Sequence, residues 1–258
     1  MSSTPVHTDI ADRVLTITID RPEVRNAVDG PTAEALHEAF QQLDDNDDVD
    51  VGILTGANDT FCAGADLKSV AGGAGPRVHD DMSLPGPLGP TRMMTSKPLI
   101  AAVEGYAVAG GLELALLCDL RVAATNAVFG VFCRRWGVPL VDGGTIRLPR
   151  LIGHSHAMDL ILTGRGVSGE EAKMMGLANR LCEPGEALPD ARKLALQLAG
   201  FPQGCMRSDR ESAYSQWDLG LDAALENETR LGLQVIRSGE TRDGATRFAK
   251  GEGRHGAF

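Results

Sequence analysis

The chain is poor in aromatic residues and in positive charge, and it lacks a long apolar run. Only 4% of its 258 residues are aromatic, and 25 Lys and Arg against 35 Asp and Glu leave a net charge of −10. A surface of this sign repels phosphate backbones, so we expect no nucleic-acid partner. No apolar stretch reaches the ~18 residues of a membrane-spanning helix. Residues 1–12 show no basic start followed by an apolar core, so secretion is not expected either.

Cysteine and nucleotide motifs are missing as well. The five cysteines are odd in number, contain no CxxC pair and show no metal-ligand spacing with the six histidines. We therefore predict no bound metal and a reduced, cytoplasmic protein. No strand-like segment is followed by GxGxxG, which argues against a nucleotide-binding dehydrogenase.

The first half of the chain alternates between strand and helix patterns. Apolar, β-branched segments at 14–19, 51–55, 98–103 and 119–123 predict strands, and a helical period follows Pro31. Between Ala71 and Pro90, glycine and proline predict a loop, which is either a lid over a site or a plain solvent loop. After Gly143 the patterns are helical, at 155–163, 169–175, 186–199, 208–217 and 221–237, with a short apolar stretch at 177–182. We predict an α/β unit over residues 1–195 and a helical region over 196–258.

Residues 105–115 (GYAVAGGLELA) carry the strongest chemical signal. A glycine pair opens an apolar helix, whose first backbone N–H groups are unpaired and lie at the positive end of the helix dipole. Glycine allows a ligand to approach that backbone closely. Glu113, about one turn further in, can face the same ligand. This pattern predicts chemistry at a carbonyl group.

A second glycine-containing turn, residues 61–68 (FCAGADLK), follows the predicted strand at 51–55. By itself it is a weak signal, because many strand-to-helix turns look like this. Two N–H groups from separate segments aimed at one oxygen would form an oxyanion hole, and loss of one such donor typically costs about 2.7–4 kcal/mol in the barrier.

These segments, in this order, resemble the crotonase superfamily, the enoyl-CoA hydratase/isomerase family. The resemblance rests on residues 21–27 (RPEVRNA), 63–66 (AGAD) and 110–113 (GGLE). It continues through 143–153 (GGTIRLPRLIG), 162–165 (LTGR) and 172–177 (AKMMGL). It implies a core of repeated ββα turns, a C-terminal helical trimerisation region, and a homotrimer or homohexamer. The implied ligand is an acyl-CoA thioester, with coenzyme A as part of the substrate and no permanently bound cofactor.

The resemblance also implies roles for individual residues. The N–H groups of Ala65 and Gly110 match the two oxyanion-hole positions, where an enolate-like oxygen would be stabilised. The implied substrate-binding residues are Arg25, Ala27, Ala63, Asp66, Leu67 and Lys68. Arg25 and Lys68 are candidates for the phosphates of coenzyme A, with an ordinary surface role as the alternative for each. Asp66 has holding the turn together as its alternative role.

Glu113 matches one of the two catalytic glutamates of the hydratases, and its alternative is a buried carboxylate satisfied by backbone donors. The position of the second glutamate holds Cys133. A thiol with an ordinary pKa of about 8.5 is mostly protonated at neutral pH and is a poor general base. If Arg134 or Arg135 lowered the pKa of this thiol, it could act as a nucleophile. The alternative is a packed, inert thiol.

Asp142 can compensate for the missing glutamate. Counted back from Thr145, it matches an acidic position of the dienoyl-CoA isomerases of the same superfamily; counted forward from Gly137, it is one residue out of register. Two interpretations stay open. Asp142 forms an acid/base pair with Glu113 around the α- and γ-carbons, or it caps the helix that starts near Gly143.

The function expected from the sequence is that of an enoyl-CoA hydratase or isomerase in fatty-acid or related acyl-CoA metabolism. Hydratase activity is in doubt because of Cys133. The alternatives are an enoyl-CoA or dienoyl-CoA isomerase using Glu113 and Asp142 without hydration, and a non-catalytic acyl-CoA-binding homologue. Candidate residues for the acyl pocket, each of which could equally be ordinary core, are Met82, Leu84, Met93, Met94, Val131, Phe132 and Trp136.

Overall fold

The chain forms two compact units, residues 1–198 and 199–258, and the computed structural model describes residues 4–253. The first unit holds two sheets with the helices that cover them. Up to residue 253, the second unit consists of helices and their connections.

The larger sheet of the first unit has six strands in the order β1-β2-β3-β4-β6-β9. β1 runs antiparallel to β2, and the other neighbours are parallel. The strands are β1 (Val6–Ala11), β2 (Val14–Ile19), β3 (Val51–Gly56), β4 (Leu99–Val103), β6 (Leu120–Ala124) and β9 (Arg180–Cys182). β3 and β4 are buried almost throughout, as expected for parallel strands covered on both faces. The strands predicted at 14–19, 51–55, 98–103 and 119–123 are confirmed. β1 was not predicted because its sequence, VHTDIA, does not alternate between apolar and polar residues.

The smaller sheet has three short strands in the order β5-β7-β8, namely β5 (Tyr106–Val108), β7 (Val128–Gly130) and β8 (Gly166–Ser168). The helices of this unit are α1 (Gly30–Asp45), α2 (Leu67–Ala71), α3 (Gly110–Leu117), α4 (Gly144–Ile152), α5 (His154–Thr163), α6 (Gly169–Met174) and α7 (Ala187–Ala199). α3 is buried along seven of its eight residues, in agreement with its continuous apolar sequence. It follows β5 directly, so the small sheet fixes where this helix starts.

The second unit contains α8 (Gln203–Ser215), α9 (Leu221–Ser238) and α10 (Glu240–Ala249). The helices predicted at 208–217 and 221–237 are present, although α8 begins five residues earlier. α10 was not predicted, because its sequence is mostly polar, and none of its residues is buried. Among the residues that the structure describes, no helix is long and apolar enough to cross a membrane.

Candidate active site

Backbone pairing brings the two glycine-containing segments side by side. Cys62 pairs with Ala107 of β5 through hydrogen bonds from Cys62 N to Tyr106 O (2.8 Å) and from Val108 N to Cys62 O (3.1 Å). On its other side, the turn at 63–66 pairs with Val28, which donates to Gly64 O at 2.8 Å. Since β5 leads straight into α3, the turn lies against the first residues of that helix.

The glycines at this junction are required by close approach. A Cβ on Gly64, which has φ +91°, would lie 2.8 Å from the backbone nitrogen of Gly110. A Cβ on Gly111 would lie 2.0 Å from the carbonyl oxygen of Cys62. No side chain fits between two backbones this close, so the glycine pair predicted to open the helix serves the packing of the junction.

Two backbone N–H groups at this junction are left without an acceptor. Within residues 4–253, neither the N–H of Ala65 nor that of Gly110 donates a hydrogen bond. Ala109, which precedes the helix, has φ 55° and ψ −125°, a conformation that L-residues rarely adopt. Buried backbone donors are nearly always paired, and strained backbone concentrates at functional sites. The two N–H groups are therefore available to a ligand.

Glu113 is buried, with 2% of its surface exposed. Its Oε1 accepts hydrogen bonds from the backbone N–H groups of Asp142 (2.9 Å) and Gly144 (2.8 Å). Its Oε2 has no hydrogen-bond partner in the described part of the chain. Burial, and next the charge of Asp142, raises the pKa of Glu113 to about 7. The two N–H groups oppose this rise, because they stabilise the ionised carboxylate. The carboxyl group is thus satisfied on one oxygen by backbone donors and is poised to titrate near neutrality.

Asp142 does not cap α4, so that interpretation is wrong. The N-cap residue is Gly143, which has no side chain to cap the helix, and the N–H of Gly144 in the first turn donates to Glu113 and not to Asp142. Instead, Asp142 Oδ1 accepts from the N–H of Leu88 (3.0 Å) and from the hydroxyl of Thr91. Burial raises the pKa of Asp142, whereas these two donors and the guanidinium of Arg147 oppose the rise. The helix start near residue 143 was predicted correctly, but the side chain of Asp142 binds donors outside that helix.

Cys133 is buried and lines the same cavity as Glu113. Burial, and next the charge of Glu113, raises the pKa of its thiol. The neighbouring arginines are directed elsewhere: Arg134 donates to Ile161 O at 3.2 Å, and Arg135 donates to Gly164 O at 2.7 Å. These contacts favour the packed, neutral thiol over the nucleophile.

The cavity that these groups line has a volume of about 380 Å³. Of the predicted substrate-binding residues, Arg25, Ala63 and Leu67 line it, together with both oxyanion-hole candidates, Ala65 and Gly110. Ala27, Asp66 and Lys68 lie outside the lining. Most of the wall is apolar, formed by side chains such as Val70, Val78, Leu88, Phe132, Val138 and Val141.

Asp66 and Ala27 have structural contacts that explain their position. The carboxylate of Asp66 caps α2 by accepting from the N–H groups of Lys68 and Ser69, and it pairs with Arg21 at 3.2 Å. Arg21 also donates to the carbonyl oxygen of Ala27. Lys68 is exposed on α2. The interpretation of Asp66 as a residue that holds the turn together is supported by these contacts.

The acyl-pocket candidates separate into two groups. Phe132 and Trp136 line the cavity, whereas Met82, Leu84, Met93, Met94 and Val131 do not. The predicted loop between α2 and the short helix Pro90–Arg92 supplies Pro76, Val78, Pro87 and Leu88 to the wall. This loop is part of the site and not a plain solvent loop.

Three residues at the site were given no role there by the sequence. Leu88 and Thr91 contact Asp142 from positions 54 and 51 residues away in sequence. Arg147 donates to the carbonyl oxygens of Asp142 (2.7 Å) and Thr91 (2.8 Å). The segment that holds Leu88 and Thr91 is marked in the sequence only by the glycines and prolines between residues 85 and 90. These residues predict a turn, but they do not predict that the turn contacts Asp142. Within residues 4–253, no group of three or more His, Cys, Asp or Glu side chains could hold a metal ion.

Comparison with known proteins identifies the class to which this fold and site belong. The profile of the family described as Enoyl-CoA hydratase/isomerase matches residues 9–255. The chain belongs to this family, and its fold is the crotonase fold, shared with the crystal structure of enoyl-CoA hydratase EchA1 from Mycobacterium marinum (TM-score 0.90, 38% identity, 96% of both chains covered). A crystal structure of enoyl-CoA hydratase from Mycobacterium tuberculosis H37Rv gives a TM-score of 0.91 at 38% identity, again over 96% of both chains.

Curated relatives agree with this assignment. A probable enoyl-CoA hydratase echA8 of Mycobacterium leprae is 37% identical over 221 residues, covering 85% of this chain and 84% of the relative. A carnitinyl-CoA dehydratase of Salmonella arizonae is 41% identical over 187 residues, covering 72% of this chain and 70% of the relative. The family and the enzyme class expected from the sequence are confirmed.

Proposed function

We propose that this protein binds an acyl-CoA thioester and moves a proton between the α- and γ-carbons of its acyl group, with Glu113 and Asp142 as the acid/base pair. One observation carries the proposal. Two buried carboxyl groups line the same apolar cavity as two unpartnered backbone N–H groups. One oxygen of Glu113 accepts from two backbone N–H groups, and one oxygen of Asp142 accepts from a backbone N–H and a hydroxyl.

The unpartnered N–H groups of Ala65 and Gly110 supply the electrophilic part of the reaction. When a proton leaves the α-carbon, negative charge develops on the thioester oxygen. Two fixed N–H donors in an apolar cavity stabilise that charge without reorganising, and the dipole of α3 acts in the same direction. The strained backbone at Ala109 is consistent with a helix start held in place for this purpose.

The charges around the cavity indicate how the thioester lies. Arg25 is exposed, lines the cavity, and stands over the ring of Tyr106 with 5.7 Å between its guanidinium carbon and the ring centroid. An arginine at a cavity mouth suits a phosphate of coenzyme A. The acyl chain would then extend along the apolar wall toward Glu113 and Asp142.

Isomerisation fits these groups better than hydration. Moving a double bond from the β,γ to the α,β position removes one proton from the α-carbon and adds one to the γ-carbon, with no water consumed. Hydration needs a group that activates water at the β-carbon, and the raised pKa of Cys133 makes its thiol unsuitable for that task. Hydration is the second candidate, because relatives are named as enoyl-CoA hydratases.

Three measurements on the purified protein test the proposal. Incubation of a 3-enoyl-CoA should give the conjugated trans-2-enoyl-CoA, followed by ultraviolet absorbance. In deuterated water, mass spectrometry should detect deuterium at the α-carbon. A panel of trans-2-enoyl-CoA thioesters should be hydrated slowly or not at all. Rapid hydration without isomerisation would establish the second candidate, and tight binding without either reaction would indicate a non-catalytic acyl-CoA-binding protein.

Matched variants locate the chemistry within the site. Glu113→Gln and Asp142→Asn keep the size of each side chain and one acceptor oxygen, but neither amide can exchange the proton. We expect each to slow isomerisation at least ~100-fold, the low end of what general acid–base catalysis supplies. The homotrimer or homohexamer, the cytoplasmic location and the division at residue 195 stay predictions from the sequence. Sedimentation of the purified protein tests the first of them.

A further inference from the structure

The carboxylate of Asp142 is held by a segment that the sequence does not connect with the site. The N–H of Leu88 donates to Oδ1 at 3.0 Å, and the hydroxyl of Thr91 donates to the same oxygen. Thr91 is buried, with 3% of its surface exposed, so its hydroxyl is sheltered from water. The second oxygen of Asp142, Oδ2, has no hydrogen-bond partner among residues 4–253.

Arg147 contacts the backbones of both residues that meet here. One of its terminal nitrogens donates to the carbonyl oxygen of Asp142 at 2.7 Å, and the other donates to the carbonyl oxygen of Thr91 at 2.8 Å. The guanidinium thereby clamps the backbones of the two residues whose side chains meet. Such a planar fork is suited to holding two acceptors at once.

We propose that Thr91 is a positioning residue. Its hydroxyl, held in place because Arg147 binds the backbones of Thr91 and Asp142, orients the Asp142 carboxylate, keeps it ionised and leaves Oδ2 to face the substrate. Of the two carboxyl groups, Glu113 is then the one that binds a proton first. This inference rests on the proposed function for its catalytic consequence, whereas the state of Asp142 can be measured without turnover.

The charges around Asp142 support this division of roles. Two arginines place positive charge near the carboxylate, Arg147 on α4 and Arg92 on the short helix at 90–92. On α3, only Glu113 adds negative charge. Burial raises the pKa of Asp142, and the Thr91 hydroxyl is the strongest influence that opposes it. Glu113 has burial and the charge of Asp142 acting in the same direction. Burial raises the pKa of both carboxyl groups, and the Thr91 hydroxyl opposes that rise at Asp142 alone.

The deciding variants are Thr91→Val, which removes the hydroxyl at nearly constant volume, and Thr91→Ser, which keeps it. Carbon-13 NMR of the aspartate carboxyl carbons, with Asp142 identified by its loss in Asp142→Asn, gives the pKa directly. A hydrogen bond to a charged group of ordinary strength corresponds to a rise of about one to two pH units in Thr91→Val. Thr91→Ser should titrate like the wild type, which a purely space-filling role would not require.

Activity supplies the second readout. In Thr91→Val, the acidic limb of the pH profile for α-proton exchange should move upward with the pKa of Asp142, while KM for the thioester stays within about twofold. Arg147→Met should shift the same limb in the same direction, and it tests the inference if Thr91→Val does not fold.

The outcomes separate the two proposals. An active wild type whose Asp142 pKa is unchanged in Thr91→Val and in Arg147→Met would overturn the role of Thr91 and leave the isomerase proposal standing. A wild type with no exchange and no isomerisation, but with the expected shift in Thr91→Val, would overturn the proposed function and support the positioning role.

Discussion

Replacing Glu113 by glutamine should stabilise the protein at alkaline pH while removing its activity. The side-chain amide oxygen of glutamine can accept the same N–H groups of Asp142 and Gly144 that Oε1 accepts. It carries no charge, so the desolvation cost of an ionised carboxylate disappears. Functional groups held in costly environments often show this opposition between stability and activity.

The magnitude follows from the pKa of Glu113, which rises from the ordinary 4.5 to about 7 in the folded protein. Since the folded state holds the proton more tightly, this group favours folding below the unfolded pKa, and the contribution is lost as the pH rises through the folded pKa. A shift of this size corresponds to about 3 kcal/mol at about 1.36 kcal/mol per unit. Relative to an acidic reference, Glu113→Gln should thus be more stable than the wild type by about 3 kcal/mol near pH 8, but by only about 1 near pH 5.

Urea denaturation at fixed protein concentration measures this difference, because the midpoint shifts with the free energy of unfolding while the slope stays constant. Asp142→Asn serves as the matched control: it removes the charge that raises the pKa of Glu113 and should weaken the pH dependence without abolishing it. A stability difference that is the same near pH 5 and near pH 8 would refute the argument that Glu113 is ionised at a cost in the folded protein.

Three further predictions concern substitutions in the first unit, and one of them has its control in the second unit. Gly144→Ala should slow isomerisation at least ~10-fold, because its Cβ would lie 2.9 Å from Oε1 of Glu113; the helical control Gly232→Ala, with open space around the new Cβ, should not. Cys133→Glu should raise the rate of trans-2-enoyl-CoA hydration above that of the wild type, because it supplies a carboxylate that can activate water; an unchanged rate would contradict the role given to this position. Arg121→Met should lower the free energy of unfolding by about 3 kcal/mol in urea denaturation, because the buried guanidinium donates to several carbonyl oxygens; a loss under about 1 kcal/mol would contradict this.

The sequence was sufficient to predict the structure wherever a pattern is local. β2, β3 and β4 are apolar, β-branched runs, and α3 is an apolar helix opened by a glycine pair, so periodicity and glycine placement predicted them. The burial of Glu113 also followed from its place in that helix. The three-residue strands β5 and β7 were missed, because their pairing and not their composition defines them.

The contacts of Asp142 could not be predicted because they join distant parts of the chain. Its position before a helix favoured a cap, and the actual partners lie more than fifty residues earlier in a segment without a polar motif. A capping carboxylate and one held by Leu88 and Thr91 look the same in a single sequence. Only the fold decides which donors reach the side chain.

Position 133 holds a thiol where the hydratases have a glutamate, and Asp142 supplies the second carboxyl group beside Glu113. The backbone N–H of Asp142 donates to Glu113 while its side-chain charge raises the pKa of Glu113, so the two carboxyl groups titrate as a coupled pair. A neutral thiol at position 133 adds no third charge to this pair, whereas an ionised carboxylate there would raise the pKa of Glu113 further. Two carboxyl groups suffice to move one proton along an acyl chain, and Glu113 and Asp142 would supply them. The electrostatics of the cavity therefore favour proton transfer with Cys133 neutral.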